Sequence, residues 1–348
     1  MPQSDIRSPA PDGLEPTAPT GVGTSRDSEQ DDSRTTNRRR RSSVTGITLS
    51  LASSIANQSG AGIGALAFPS IGPVGVVAVR QIVAAVVLGI VARPSVRGLR
   101  WPQVWPVLAL AVTLSMMNLS LYTAVDRIGL GLAVSLEFLG PLSVALFALR
   151  RPRDWIFAVT AGIGVYVLVL PGPSTDYLGV ALGLLAATCW ATYILLNQLV
   201  GQRCAGLKGS ALATGLAAAL YSPVIVVLAA EGSLWGKTLV YTAAAGILAS
   251  AIPYAADMMA LRHLPAGTFA ILTSLNPVWA ALAGMAFLGQ FLTAHEWLGM
   301  GCIAASNIAV VISQNHPAKE TTKTRAHSAR PNERRRGTPR HSGQARNG

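Results

Sequence analysis

The sequence predicts an all-α, polytopic membrane protein: ten transmembrane helices in two inverted five-helix repeats, with disordered polar tails. Three observations predict this. Half of the 348 residues are hydrophobic and 13% are charged, with a mean hydropathy of +0.41, about half the charge fraction of a soluble protein. Apolar runs recur at short intervals from residue 46 to 313, each near the ~20 residues a helix needs to cross the hydrocarbon core. One of these runs recurs later in the chain at a constant offset.

Residues 1–43 are rich in Ser, Thr, Pro and Asp and poor in aliphatics, which predicts a disordered cytoplasmic tail. The tail ends in Arg38 to Arg41 before an apolar segment, as a twin-arginine export signal does, and Ala65-Leu66-Ala67 could serve as a cleavage site. More membrane follows instead of a soluble domain, so these arginines read as a cytoplasmic anchor. The predicted spans are 46–67, 74–92, 104–125, 129–149 and 155–171 in one repeat, residues 44–172. The second repeat, residues 173–314, holds 178–200, 209–230, 238–260, 266–288 and 296–313. Only Asp126 to Ile128 separates the third span from the fourth. Residues 315–348 form a disordered basic cytoplasmic tail with nine bases and two acids.

Lysine and arginine placement sets the orientation. With the N-terminus inside, nine fall in cytoplasmic loops: Arg93, Arg97, Arg100, Arg150, Arg151, Arg153, Arg203, Lys208 and Arg262. Arg127 and Lys237 fall outside. The positive-inside rule therefore places both termini in the cytoplasm. The basic tail lacks an RNA-binding fold, so no nucleic-acid partner is expected, and anionic lipid headgroups suit it better. Cys189, Cys204 and Cys302 show neither disulfide nor metal spacing. There is no GxSxG, HExxH, Walker loop or Rossmann fingerprint, and the histidines have no partner at ligand spacing. No catalytic residue, metal or cofactor is expected. Uphill transport would then draw on a gradient.

The fourth span carries one acid, Glu137, with Pro141 four residues on. A carboxylate at mid-membrane costs ~2.5–3.5 kcal/mol on insertion scales. Pro141 has no N–H for the Glu137 carbonyl, so both polar groups share one turn. Moved along the chain by a single fixed offset, this span falls on the ninth: Gly131 meets Gly267, Glu137 meets Thr273 and Pro141 meets Pro277. Five spans per half is an odd number, so the second copy is inverted. Such repeats bind solute at broken helices near the midplane of secondary transporters.

Glu137 is the expected site for a substrate ammonium, a proton or both in exchange; the alternative is a structural partner for Arg80. Arg80 suits a substrate carboxylate, or else pairs Glu137 or snorkels. Asp257 is a second acid at membrane depth, placed to bind or to snorkel. Asn276 and Thr273 are the second-half counterparts, with interhelical bonding as the alternative. Asn57 and Gln58, Asn118 and Tyr122, and Trp190 and Tyr193 are polar or aromatic candidates that otherwise pack. Pro141 and Pro277 read as helix breaks able to gate. Gly60 with Gly64, Gly162 with Gly183, and Gly284 with Leu288 suggest close helix packing.

The stretches AVSLEFLGPLSVALFALRRPRDW, ATCWATYILLNQ and IPYAADMMALRHLPAGTFAILTSLNPVWAALAGMAFLGQ resemble the EamA-type branch of the drug/metabolite transporter superfamily. Within it, the chain is similar to the inner-membrane threonine and homoserine exporters over residues ~46–313. Asn276 in SLNP departs from the acid expected before that proline. The resemblance implies two EamA repeats and a multi-pass place in a bacterial plasma membrane. It also implies export of amino acids or related small metabolites, with proton antiport through Glu137. The expected partners are a small-molecule substrate, protons and membrane lipid, with a homodimer as open as a monomer. Alternatives are a broader drug/metabolite exporter, an importer, an intramembrane lipid-modifying enzyme and a membrane scaffold governed by its basic tail.

Overall fold

Glycine and proline punctuate the helices of the described residues. The computed structural model describes residues 24–94, 100–148, 155–170, 175–204 and 208–315. Helix α1 (Thr24–Ala65) ends at a turn into α2 (Phe68–Ala92), which bends at Gly72 (φ 66°) before Pro73. Helix α3 (Trp101–Ile128) opens with Gln103 Oε1 accepting the Arg100 N–H at 3.1 Å. Gly129 (φ 87°, ψ 161°) turns the chain into α4 (Leu130–Glu137), a backbone conformation essentially confined to glycine. The short separator expected at Asp126 to Ile128 is thus the last turn of α3, and one glycine makes the corner.

Next come α5 (Leu139–Ala148), α6 (Trp155–Val169), α7 (Tyr177–Arg203), α8 (Lys208–Leu220) and α9 (Ser222–Ala230). A 43° bend separates α8 from α9, where Pro223 stands in the first turn of α9. Helix α10 (Lys237–Gly246) runs through a π-helical turn (Ile247–Ala251) into α11 (Ile252–His263). The chain closes with α12 (Ala266–Thr273), α13 (Asn276–Leu288) and α14 (Ala294–Asn315). Among the described residues there is no strand. The fourth span stands as one candidate crossing, Leu130–Phe147, broken at Phe138 into α4 and α5. One correction follows. Residues 24–43, expected to lack structure, extend α1; from Thr24 to Val44 there is no Gly or Pro, so nothing stops a helix nucleated by the apolar segment from propagating back. Residues 1–23 and 316–348 lie outside the described residues, as do the loop arginines Arg97, Arg150, Arg151 and Arg153.

By length and composition, six helices among the described residues can cross a membrane, and the bent α8–α9 pair makes a seventh. Helix α6 is apolar but shorter, at 15 residues. The outward faces are apolar too: Ile90, Phe147, Trp155, Ile156 and Val226 are all exposed. Bare side chains of this kind in number suit lipid rather than water.

Element boundaries recur at one interval. Trp101 and Lys237 open α3 and α10, Leu130 and Ala266 open α4 and α12, and Glu137 and Thr273 close the latter two, every pair separated by the same distance along the chain. The packing crosses between the halves: α3 lies on α7, α1 on α11, α2 on α8, α4 on α13 and α6 on α14. Small residues permit these approaches. A Cβ on Gly60 would stand 2.7 Å from the Ala249 nitrogen, and one on Gly299 2.6 Å from the Gly164 carbonyl. Gly140 abuts the Ala187 carbonyl. Of the predicted pairs, Gly60 and Gly64 do pack, against Ala249 and Ala245. Gly162 faces open space while Gly183 sits on Leu136, so those two do not meet. Gly284 packs by Gln290 and Leu130.

Candidate functional site

The two broken spans set the site. Helix α4 stops at Glu137, Phe138 forms a turn, and the helix resumes at Leu139 with Pro141 in its first turn. The missing proline N–H accounts for this stop. Trp190 of α7 braces it, its ring edge-to-face with Phe138 at 4.8 Å. Glu137 is 6% exposed, and its side chain borders a cavity of about 490 Å³ between the halves.

Arg80 of α2 enters the same cavity. Its guanidinium donates to Tyr122 Oη at 2.9 Å, to Asn118 Oδ1 at 3.3 Å and to the Ala249 carbonyl at 3.3 Å. It also lies 5.2 Å from the centre of the Tyr122 ring. The Ala249 carbonyl belongs to the π-helical turn, and Pro253, four residues on, has no N–H to return to it. A carbonyl, an amide and a phenol therefore hold the arginine in place. Among the described residues the ion pair is Arg127 with Asp176. Arg80 and Glu137 share the cavity without closing on each other.

Of the residues singled out from sequence, Glu137, Arg80, Asp257, Tyr122, Asn118, Gln58, Trp190 and Tyr193 all line this cavity. Asn57 joins them. Asp257 reaches the cavity beside Ser53 instead of snorkelling away from it. The second-half counterparts behave differently. Thr273 donates to the Ala270 carbonyl at 3.0 Å, and Asn276 opens α13 with its Oδ1 buried and unbonded. Neither lines the cavity, and neither do Pro141 and Pro277. The expectation that both breaks contribute side chains to one pocket is corrected: Pro277 is buried in the first turn of α13, where the chain turns at Ser274 and Leu275.

The sequence reading missed Gln81, Asn197, Ser210, Thr214 and Ser250, which supply further polar lining. Ser210 donates to Asn197 Oδ1 at 3.2 Å. The available signals were faint: Gln81 directly follows Arg80, and Ser250 precedes Pro253 in an apolar run. From Glu137 the cavity extends toward the bundle end where α8 begins, reaching Ser210 in its first turn. At the opposite end the helix termini are cross-linked. Arg127 Nε lies 3.0 Å from Asp176 Oδ2, Asp176 accepts the Gly179 N–H at 2.8 Å as the N-cap of α7, and Gln290 accepts the Leu130 N–H at 2.9 Å. The Gly179 N–H, and after it Arg127, hold the Asp176 carboxyl below its usual range.

A buried carboxylate and a braced guanidinium, separated by polar side chains, can hold a zwitterion at both ends or pass a proton. Among the described residues no group of His, Cys, Asp and Glu is arranged to hold a metal.

Residues 177–312 match the EamA-like transporter family. The threonine/homoserine exporter RhtA of Escherichia coli (strain K12) is 36% identical over 266 residues, 75% of this chain and 90% of that relative. RhtA of Salmonella typhimurium (strain LT2) is 36% identical over 259 residues, covering 74% and 88%. An uncharacterized transporter, YwfM of Bacillus subtilis (strain 168), is 26% identical over 234 residues, covering 64% and 78%. Among solved structures, a crystal structure matches with a TM-score of 0.52 at 18% identity, over 80% of this chain and 99% of that one, a likeness of fold alone. These relatives are transporters rather than enzymes, and the chain is a multi-pass membrane protein that belongs to the EamA-like transporter family.

Proposed function

We propose that this protein is a secondary active exporter of threonine- and homoserine-like amino acids, driven by proton antiport through Glu137. The observation that carries the reading is Glu137 itself. It is a buried acid at a helix break, facing a cavity it shares with Arg80, and among the described residues no ion pair locks it. The substrate class comes from the relatives' named activity. Ten spans in two inverted repeats are supported by the fixed-interval recurrence of helix ends and by packing that pairs each half with the other.

The loop arginines and Lys208 put the open end of the cavity in the cytoplasm, with both termini there and the bilayer being the inner membrane. The conformation is then inward-facing. Substrate enters past Ser210 and Asp257, sets its carboxylate toward Arg80, and its ammonium displaces the proton on Glu137. The halves rock about the broken helices to release it outside, and Glu137 takes a proton there before returning. A buried acid cannot remain charged without a partner at low cost, so it is either protonated or occupied on each crossing. That alternation is the coupling.

The test is Glu137→Gln in proteoliposomes with an imposed pH gradient. Threonine movement against its own gradient falls to the level of protein-free vesicles, while the variant still inserts and purifies as wild type does. Full pH-driven transport by the variant would remove Glu137 from the mechanism. A broader metabolite exporter is the second reading, favoured by a cavity volume within the range of drug-sized ligands. Competition by a panel of amino acids and larger cations separates the two.

A further inference from the structure

One polar group in the cavity is left wanting. Gln81 is 4% exposed and lines the cavity with Glu137 and Arg80, while its Nε2 is turned into the protein, buried and without an acceptor, so that a rotation of the amide about its last bond is what brings this donor to a ligand. Leaving such a donor buried and unpaired weakens an equilibrium by roughly 5- to 150-fold. A protein retains that penalty at a binding site where a ligand relieves it. Arg80, its neighbour in sequence, is in a different position: Tyr122, Asn118 and the Ala249 carbonyl already hold it.

The rest of the cavity narrows what Gln81 can meet. Arg80 is the cation among the lining residues, so a carboxylate is drawn there. Glu137 takes the ammonium. Those two groups account for the backbone of an amino acid and leave its side chain. An amide both gives and accepts hydrogen bonds, as a hydroxyl does. Resting on the exporter reading above, we propose that Gln81 is a specificity-determining residue whose Nε2 donates to the side-chain hydroxyl oxygen of the transported amino acid. A site built to bond a hydroxyl rejects the analogue without one, because the protein's own polar group then stays buried and unpaired.

The probe is 2-aminobutyrate, which has the carbon skeleton of both threonine and homoserine and lacks the hydroxyl. Binding of all three is measured on the purified full chain, and counterflow in proteoliposomes, for wild type and Gln81→Met. Wild type should prefer the hydroxylated pair by roughly tenfold or more. In Gln81→Met the preference falls to about twofold or less, because threonine and homoserine weaken while 2-aminobutyrate holds. Equal weakening of all three by a monodisperse variant would place Gln81 on the carboxylate or in packing and overturn the proposal. An unchanged preference would overturn it too. Should Gln81→Met fail to purify intact, Gln81→Asn, which keeps the amide and shortens its reach, must lower the preference in its place, and a preference equal to wild type overturns the assignment. Wild type that binds none of the three would overturn the exporter reading itself, a failure visible before any variant is made.

Discussion

The two helix breaks share a backbone and differ in chemistry. Helices α4 and α12 are of equal length, their first and last residues are related by one offset along the chain, and each is followed by a proline four residues after its last member. At the first break the last residue is Glu137, which faces the cavity. At the second it is Thr273, whose hydroxyl is spent on the Ala270 carbonyl. The two prolines account for the matching breaks, since a proline without an N–H stops a helix wherever it falls. They do not carry over the side chain. Which break faces the cavity depends on how each half packs, and here α4 presents its end to the cavity while α12 does not.

The sharpest way to break that comparison is to exchange the two residues. Glu137→Thr combined with Thr273→Glu keeps composition and both breaks, and moves the acid out of the cavity. The expected result is complete loss of pH-driven transport. Stability falls as well, because the acid leaves a polar-lined cavity for a half-buried position in the apolar helix α12. Transport assays and thermal unfolding in detergent measure the two effects. Recovered transport would mean that the breaks are functionally equivalent and that cavity lining does not decide which acts.

A milder intervention removes the prolines one at a time. Pro141→Ala returns an N–H to the Glu137 carbonyl, so α4 and α5 can fuse and turn Glu137 away from the cavity. Pro277→Ala does the same at Thr273, where no cavity side chain is disturbed. Transport should drop roughly tenfold or more for Pro141→Ala, since small misplacement of a positioned group costs up to about 10²-fold, and within about twofold for Pro277→Ala. Amide exchange at residues 138–142 and 274–278 checks whether each break has closed. Equal losses would show that both breaks move in the cycle.

How much of this was visible in sequence depended on how strong the local signal was. Glu137 and Pro141 stand out because a charge and a missing donor are both costly in an apolar run. The recurrence of that span in the second half was legible for the same reason, since Pro277 and Gly267 mark it. Gln81, Asn197, Ser210 and Ser250 were not, because a single neutral polar residue in a Gly- and Ala-rich helix can face any neighbour, and only the packing of α2, α7, α8 and the π-helical turn sends these four to one cavity. Asn276 and Thr273 misled in the opposite sense: equivalence along the chain says nothing about which way a helix is rotated. The corner at Gly129 was hidden by charge. Asp126 and Arg127 look like a loop, yet they complete the last turn of α3.

The corners that lead into the two broken spans differ too, and this gives the smallest expected effect. At the first corner, before α4, Arg127 at the end of α3 is tied to Asp176 at the start of α7, and Gly179 packs against Arg127 and Ile128. At the matching corner of the second half, Gly46 packs against His263 and Leu264, with no ion pair among the described residues. Asp176 has its carboxyl held below the usual carboxylate range by the Gly179 N–H and then by Arg127. Its contribution is therefore fully present above the ordinary carboxylate pKa and is lost as pH falls through the lowered value in the folded state. Asp176→Asn keeps a capping side chain and removes the charge. Thermal unfolding followed from neutral pH downward should show the wild type losing stability in acid more steeply than the variant, with the two curves converging once Asp176 is protonated. Transport at neutral pH should change by less than about twofold, as exposed ion pairs contribute little. A variant that matches wild type at every pH would mean that the ion pair adds nothing beyond the cap, and that the two corners are as alike in strength as they are in shape.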